Sequence, residues 1–125
     1  MPHLTLEHTS NVRPTREFDN LFEQLHFVLA ESGIKIANCK SRAMERSLFY
    51  VASGNHSSAF VHLDVRFMEG RSPESKQTIG QNLLGALREC FVPPPEITDL
   101  QITVEIRDIE RRAYFKFPDG TLNYK

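Results

Sequence analysis

Residues 59–106 read AFVHLDVRFMEGRSPESKQTIGQNLLGALRECFVPPPEITDLQITVEI, and this stretch decides the fold. Val61, Leu63 and Val65 alternate with His62, Asp64 and Arg66. That is the period-two pattern of a strand with one face buried. A helix follows. Ser72 can cap it, Pro73 suits its first position, and Glu74 favours the positive end of the dipole. Ile79, Leu83, Leu87 and Cys90 make one apolar stripe, and Pro93-Pro94-Pro95 stops the helix. LQITVEI at 100–106 alternates again. Strand, helix and strand in this order predict a right-handed parallel crossover.

The first half has the same layout. Leu4 and Leu6 alternate with His3, Thr5 and Glu7 in a strand over 2–8, and residues 9–13 form a polar loop. Phe18, Leu21, Phe22, Leu25, Val28 and Leu29 recur at helical spacing. That helix is expected to start near Pro14 or Thr15 and to end at Gly33 in a left-handed cap. Residues 36–51 are read as a strand, and SGNHSS at 53–58 as a turn. Every clear strand is apolar on one face only. Both helices should therefore cover one face of a four-stranded mixed sheet, giving a two-layer β-α-β-β-α-β domain of the α/β (α+β) class. The uncovered face would carry His3, Thr5, Glu7, His62, Asp64, Arg66, Gln101, Thr103 and Glu105. Such a face meets water or other subunits around a wet centre.

At 125 residues the chain is expected to form a single domain over 1–125. Residues 113–125, with Phe115, Phe117, Tyr124 and a Pro118-Asp119-Gly120 turn, read as a packing arm or short hairpin. With 15 Lys+Arg against 16 Asp+Glu, the net charge of -1 argues against nucleic-acid binding through a basic surface. No apolar run approaches the ~20 residues that span a bilayer. No basic segment followed by an apolar core marks a secretory signal, so a cytoplasmic location is expected. Cys39 and Cys90 have no metal-ligand or redox spacing and are read as buried free thiols. The five histidines show no ligand motif, so no metal is expected. His62 and Asp64 share a strand face and are placed to hydrogen-bond.

Met1-Pro2-His3 with Glu7, AFVH at 59–62 and GRSPESKQ at 70–77 resemble the 5-carboxymethyl-2-hydroxymuconate isomerase family of the tautomerase superfamily. Gly33-Ile34, Ser41-Arg42 and Phe115-Lys116 extend the resemblance nearly end to end. It implies a tautomerase-like fold, a homotrimer, and an N-terminal proline acting as base without metal or organic cofactor. It also implies isomerisation of a 2-hydroxymuconate dienol to its conjugated keto form, during bacterial breakdown of homoprotocatechuate.

The residues fit that chemistry. Once Met1 is removed, Pro2 presents a secondary amine, and an α-amino group ordinarily titrates near ~8. An apolar pocket and nearby cations favour its neutral form, which suits proton transfer near neutral pH. Arg71 directly precedes the Ser72 cap, beside a helix N-terminus that attracts anions. Its guanidinium can hold a carboxylate bidentately, and the resemblance places a substrate-binding arginine there. Lys40 and Arg42 share a strand face and are the remaining substrate-binding candidates. The family pattern has arginine where Lys40 stands; lysine keeps the charge and loses the planar fork. The partner expected is a small carboxylated molecule. Two other readings stay open: a non-catalytic oligomeric binding module on the same fold, and a superfamily relative acting on another unsaturated acid.

Overall fold

The computed structural model describes residues 2–118. Its elements are β1 (His3–Thr9), α1 (Phe18–Glu31), β2 (Lys40–Arg46), β3 (Ser58–Met68), α2 (Pro73–Cys90) and β4 (Asp99–Ile109). The sheet order is β2-β1-β3-β4. β1 runs parallel to β2 and antiparallel to β3, and β3 runs parallel to β4. Both halves are thus parallel strand–helix–strand units joined about an antiparallel centre. Leu4, Leu6, Val61, Leu63 and Val65 are fully buried on one face of the sheet. Leu21, Leu25, Val28 and Leu29 of α1, and Ile79, Leu83, Ala86 and Leu87 of α2, close over it. Each such leucine contributes roughly 1.5–3 kcal/mol by leaving water.

The helix ends follow local chemistry. Ser72 Oγ accepts from Ser75 N at 3.1 Å and caps α2, with Pro73 opening the helix. Gly33 adopts φ +88° at the end of α1. Its N–H reaches Ala30 O at 3.0 Å, while Ile34 N reaches Leu29 O at 3.2 Å. This is the paired closure that a left-handed glycine permits.

Several boundaries differ from expectation. α1 begins at Phe18, not near Pro14 or Thr15. The N–H and hydroxyl of Thr15 both bond Cys90 O, at 2.7 and 3.2 Å, which ties the preceding segment to the end of α2. The strand expected over 36–51 is shorter. Ile36–Asn38 form a 3₁₀ turn, and β2 covers only Lys40–Arg46. Among the described residues β2 is an edge strand whose only ladder is with the seven-residue β1, so its pairing ends where β1 ends, with Ser10 N donating to Arg46 O at 2.9 Å. β4 runs past residue 106 to Ile109, because its ladder follows β3 as far as Met68. A 3₁₀ turn at Arg111–Ala113 follows. Beyond it Phe115 and Phe117 are 86% and 94% exposed. The Asp119-Gly120 half of the expected turn, and Tyr124, lie outside the described residues.

Both cysteines are free; Cys90 is buried, whereas Cys39 is only half-buried beside the edge strand. Among the described residues no helix is long and apolar enough to cross a membrane.

Candidate active site

Pro2 lies at a corner where four chain segments converge. The pairing of His3 with Arg66 sets Pro2 level with Phe67, and Lys40 N donates to Pro2 O at 3.0 Å. The starts of β1 and β2 therefore meet the ends of β3 and β4. Pro2 is buried there and lines a cavity of ≈ 320 Å³. Phe67 supplies an apolar wall, and Lys35, Arg71 and Arg111 also line it. Among the described residues no carboxylate lines this cavity. Three cations without a lining acid make the space attractive to a small polyanion.

Arg71 is fixed from two sides. Its Nη1 donates to Ser32 O at 2.9 Å, at the carbonyl end of α1, and its guanidinium carbon lies 5.6 Å from the Phe67 ring centre. A cation at a helix C-terminus is well placed electrostatically. The nitrogens not used on Ser32 keep donors available to a carboxylate.

Lys40 and Arg42 fall elsewhere. Arg42 lies on the uncovered sheet face, in a separate cavity of ≈ 790 Å³ with His3, Asp64, Arg66, Arg107 and Tyr114. It donates to Thr5 Oγ1 at 3.3 Å and to His3 Nδ1 at 3.1 Å. Lys40 donates to Asn38 O at 3.3 Å. Within one chain the structure thus brings Pro2 and Arg71 together and leaves Arg42 in another cavity.

His3 joins the two regions. Its Nδ1 accepts from Arg42, so in the neutral ring Nε2 carries the proton and donates to Tyr114 Oη at 2.9 Å. Burial, then Arg42, the chain's amino group, Lys40 and Arg66, lower the His3 pKa below its ordinary value.

The polar face carries the expected residues. Thr5, Asp64 and Glu105 lie in one row, and Glu7, His62 and Thr103 in the next. The expected His62–Asp64 hydrogen bond gives way to other partners. His62 Nδ1 pairs with Thr103 Oγ1 at 2.7 Å, and its Nε2 lies 3.8 Å from Glu105. Asp64 instead accepts from Arg66 Nε at 3.0 Å, and Arg107 Nε makes an ionic contact with it at 3.0 Å, off the hydrogen-bond line. Ligand atoms of His62, Asp64 and Glu105 lie within 4.8 Å of one another. The two guanidiniums already occupy the carboxylates, Arg107 also reaching Glu105 at 3.2 Å, so the cluster is an ion-pair network.

Lys35 and Arg111 are the cavity-lining cations that sequence reasoning missed; nothing in the local pattern singles out Lys35, whereas Arg111 has a traceable reason. Ending β4 at 106 hides it. With the strand continued to Ile109 opposite Met68, Arg111 comes level with the Gly70-Arg71 segment.

The 5-carboxymethyl-2-hydroxymuconate isomerase family model matches residues 2–119. A 5-carboxymethyl-2-hydroxymuconate Delta-isomerase of Escherichia coli is 31% identical over 117 residues, covering 93% of each chain. The crystal structure of a 5-carboxymethyl-2-hydroxymuconate isomerase from Deinococcus radiodurans R1 superposes with a TM-score of 0.78 at 28% identity, covering 99% of this chain and 94% of that one. A structure described as "Q0 fused 4-OT wild type symmetric trimer" shares the fold, with a TM-score of 0.70 at 17% identity over 92% of this chain and 91% of that one.

Proposed function

The chain belongs to the 5-carboxymethyl-2-hydroxymuconate isomerase family and is an isomerase of tautomerase-like fold, and from that premise we propose that it ketonises a carboxylated 2-hydroxymuconate dienol with Pro2 as general base. The observation that carries this reading is the buried proline in a cavity lined by Lys35, Arg71 and Arg111 and, among the described residues, by no acid. After Met1 is removed, Pro2 is a secondary amine. The three cations and the Phe67 wall favour its neutral form. Its nitrogen takes the proton of the 2-hydroxyl, and the electron pair of that O–H bond moves through the diene. The resulting C-5 carbanion then receives the proton back from the prolinium, leaving a conjugated ketone. Atoms and charge balance without an added reagent.

Arg71 holds a substrate carboxylate with the donors that Ser32 does not engage. Lys40 and Arg42 serve a second carboxylate or the developing oxyanion. Their place on the sheet face favours a role in a site shared with a neighbouring copy. The homotrimer is proposed on the same ground, with the exposed Phe115 and Phe117 of the 113–125 arm packing on that neighbour. The free thiols fit a reducing cytoplasm. A place in aromatic-acid breakdown, homoprotocatechuate degradation in particular, follows from a substrate of this class.

The test is Pro2→Ala, with Met1 removal checked by intact mass and assembly checked by sedimentation. Alanine leaves a primary amine without the ring that fixes the lone pair, so ketonisation of 5-carboxymethyl-2-hydroxymuconate should fall by roughly tenfold or more at unchanged sedimentation. A rate within a few-fold of wild type would overturn the assignment.

A further inference from the structure

The segment after β4 carries Arg111 into the cavity and is held at both ends. At its start, Glu69 Oε2 accepts from Arg111 N at 2.7 Å, and Glu69 N donates to Ile109 O at 3.1 Å. At its other end, Tyr114 Oη accepts from His3 Nε2, while Arg42 holds the opposite nitrogen of that ring. The His3 and Tyr114 rings also meet edge to face, with centroids 6.0 Å apart. Between these anchors, Arg111–Ala113 make a single 3₁₀ turn. Arg111 is half-buried, while Arg112 and Ala113 are exposed. Of the two adjacent arginines, the structure directs Arg111 into the cavity with Pro2.

We propose that Arg111 is a specificity residue that binds an additional carboxylate of the substrate, and that Glu69 and the His3–Tyr114 pair are positioning residues that fix it there. The inference rests on the isomerase reading of this cavity and adds a selection rule to it. Without Arg111 the cavity offers one guanidinium, Arg71, and the point charge of Lys35, so a third carboxylate has no planar fork to pair with. With a planar fork from Arg111 beside Arg71, a third carboxylate finds a charge-assisted partner. His3 is suited to its role. Arg42 directs a donor at Nδ1, so the ring stays neutral and keeps its Nε2 proton on Tyr114; its lowered pKa agrees with this arrangement.

The test is binding, so that it does not depend on turnover. Propane-1,2,3-tricarboxylate and glutarate are titrated calorimetrically at pH 7.5 into the full chain lacking Met1, as wild type, Arg111→Gln and Tyr114→Phe. Wild type should bind the triacid at least tenfold more tightly than the diacid. Arg111→Gln should weaken the triacid at least tenfold and the diacid less than twofold. Tyr114→Phe should narrow the same preference by a smaller factor without lowering the unfolding temperature as a core change would. Equal weakening of both acids, no effect on either, no preference in wild type, or no binding of either acid would overturn the inference. Ketonisation rates of the same proteins decide the isomerase reading separately. An active enzyme whose triacid preference survives Arg111→Gln defeats this inference alone. An inactive enzyme that still shows the Arg111-dependent preference defeats the reaction assignment alone.

Discussion

Arg71→Met removes a charge while keeping an unbranched apolar side chain over Phe67, and its consequences divide into two measurable parts. The structural part is the hydrogen bond to Ser32 O at 2.9 Å. A bond to a charged group contributes about 1.5–3 kcal/mol when sequestered. Arg71 is half-buried, so about 1–2 kcal/mol is expected. For a domain of this size that corresponds to a fall in Tm of roughly 3–8 °C. The functional part is the carboxylate contact proposed beside Pro2. Losing a charge-assisted pair there should cost about 2–3 kcal/mol, or roughly 30–150-fold in kcat/KM. Circular dichroism melts give the first quantity. Ultraviolet progress curves at 25 °C, well below the shifted transition, give the second. Arg71→Lys should recover much of the stability and less of the activity, since lysine cannot both cap Ser32 and fork a carboxylate. If Arg71→Met changes kcat/KM less than twofold, the carboxylate role is wrong. If Tm is unchanged, the Ser32 contact is not a stabilising cap.

Three further outcomes follow from the geometry. Gly33→Ala should destabilise the fold by about 1–2 kcal/mol in urea titrations, because a Cβ is strained at φ +88° even though no atom stands in its way; an unchanged midpoint would contradict this. His3 has a folded pKa below its unfolded value of 6.5, so the unfolded chain takes up a proton first as pH falls. Stability should therefore decline with acidification from about pH 6.5 through the lower folded pKa, by at most ~1.4 kcal/mol per pH unit for this group; His3→Gln should flatten urea-derived stability between pH 7.5 and 5.5, and an unaltered slope would refute the linkage. Burial raises the pKa of both Cys39 and Cys90, so thiol titration at pH 7 should be slow at both, with the half-buried Cys39 reacting first; a fast Cys90 would contradict the core packing.

What the sequence discloses here is what local pattern encodes. The alternation of Val61, Leu63 and Val65 and the Ser72-Pro73-Glu74 helix start are read correctly because each depends on neighbours in the chain. The same period puts Lys40 and Arg42 on one strand face, and only the β1–β2 register shows it to be that of His3 and Thr5, to both of which Arg42 is bonded. Misread boundaries depend on distant partners. Thr15 looks like a helix start until Cys90 O claims it. β2 stops at Arg46 because β1 stops at Thr9. β4 looks finished at 106 because Arg107 and Asp108 are both exposed and break the alternation, yet the ladder with β3 continues. That last boundary also conceals Arg111. Pro2 and Arg71, singled out in the sequence by motif resemblance and cap spacing, line one cavity, whereas Arg111 needs the β3–β4 register before it comes near either.

The central claim is that a free Pro2 nitrogen moves the proton, and retention of Met1 tests it without altering any side chain. A Pro2 nitrogen still bonded to Met1 is an amide and has no useful basicity. Ketonisation of 5-carboxymethyl-2-hydroxymuconate should be followed by ultraviolet absorbance for two preparations, with and without Met1, verified by intact mass. The account predicts fast ketonisation by the processed protein and a rate near that of buffer for the Met1-bearing one. Equal rates from the two preparations would contradict it.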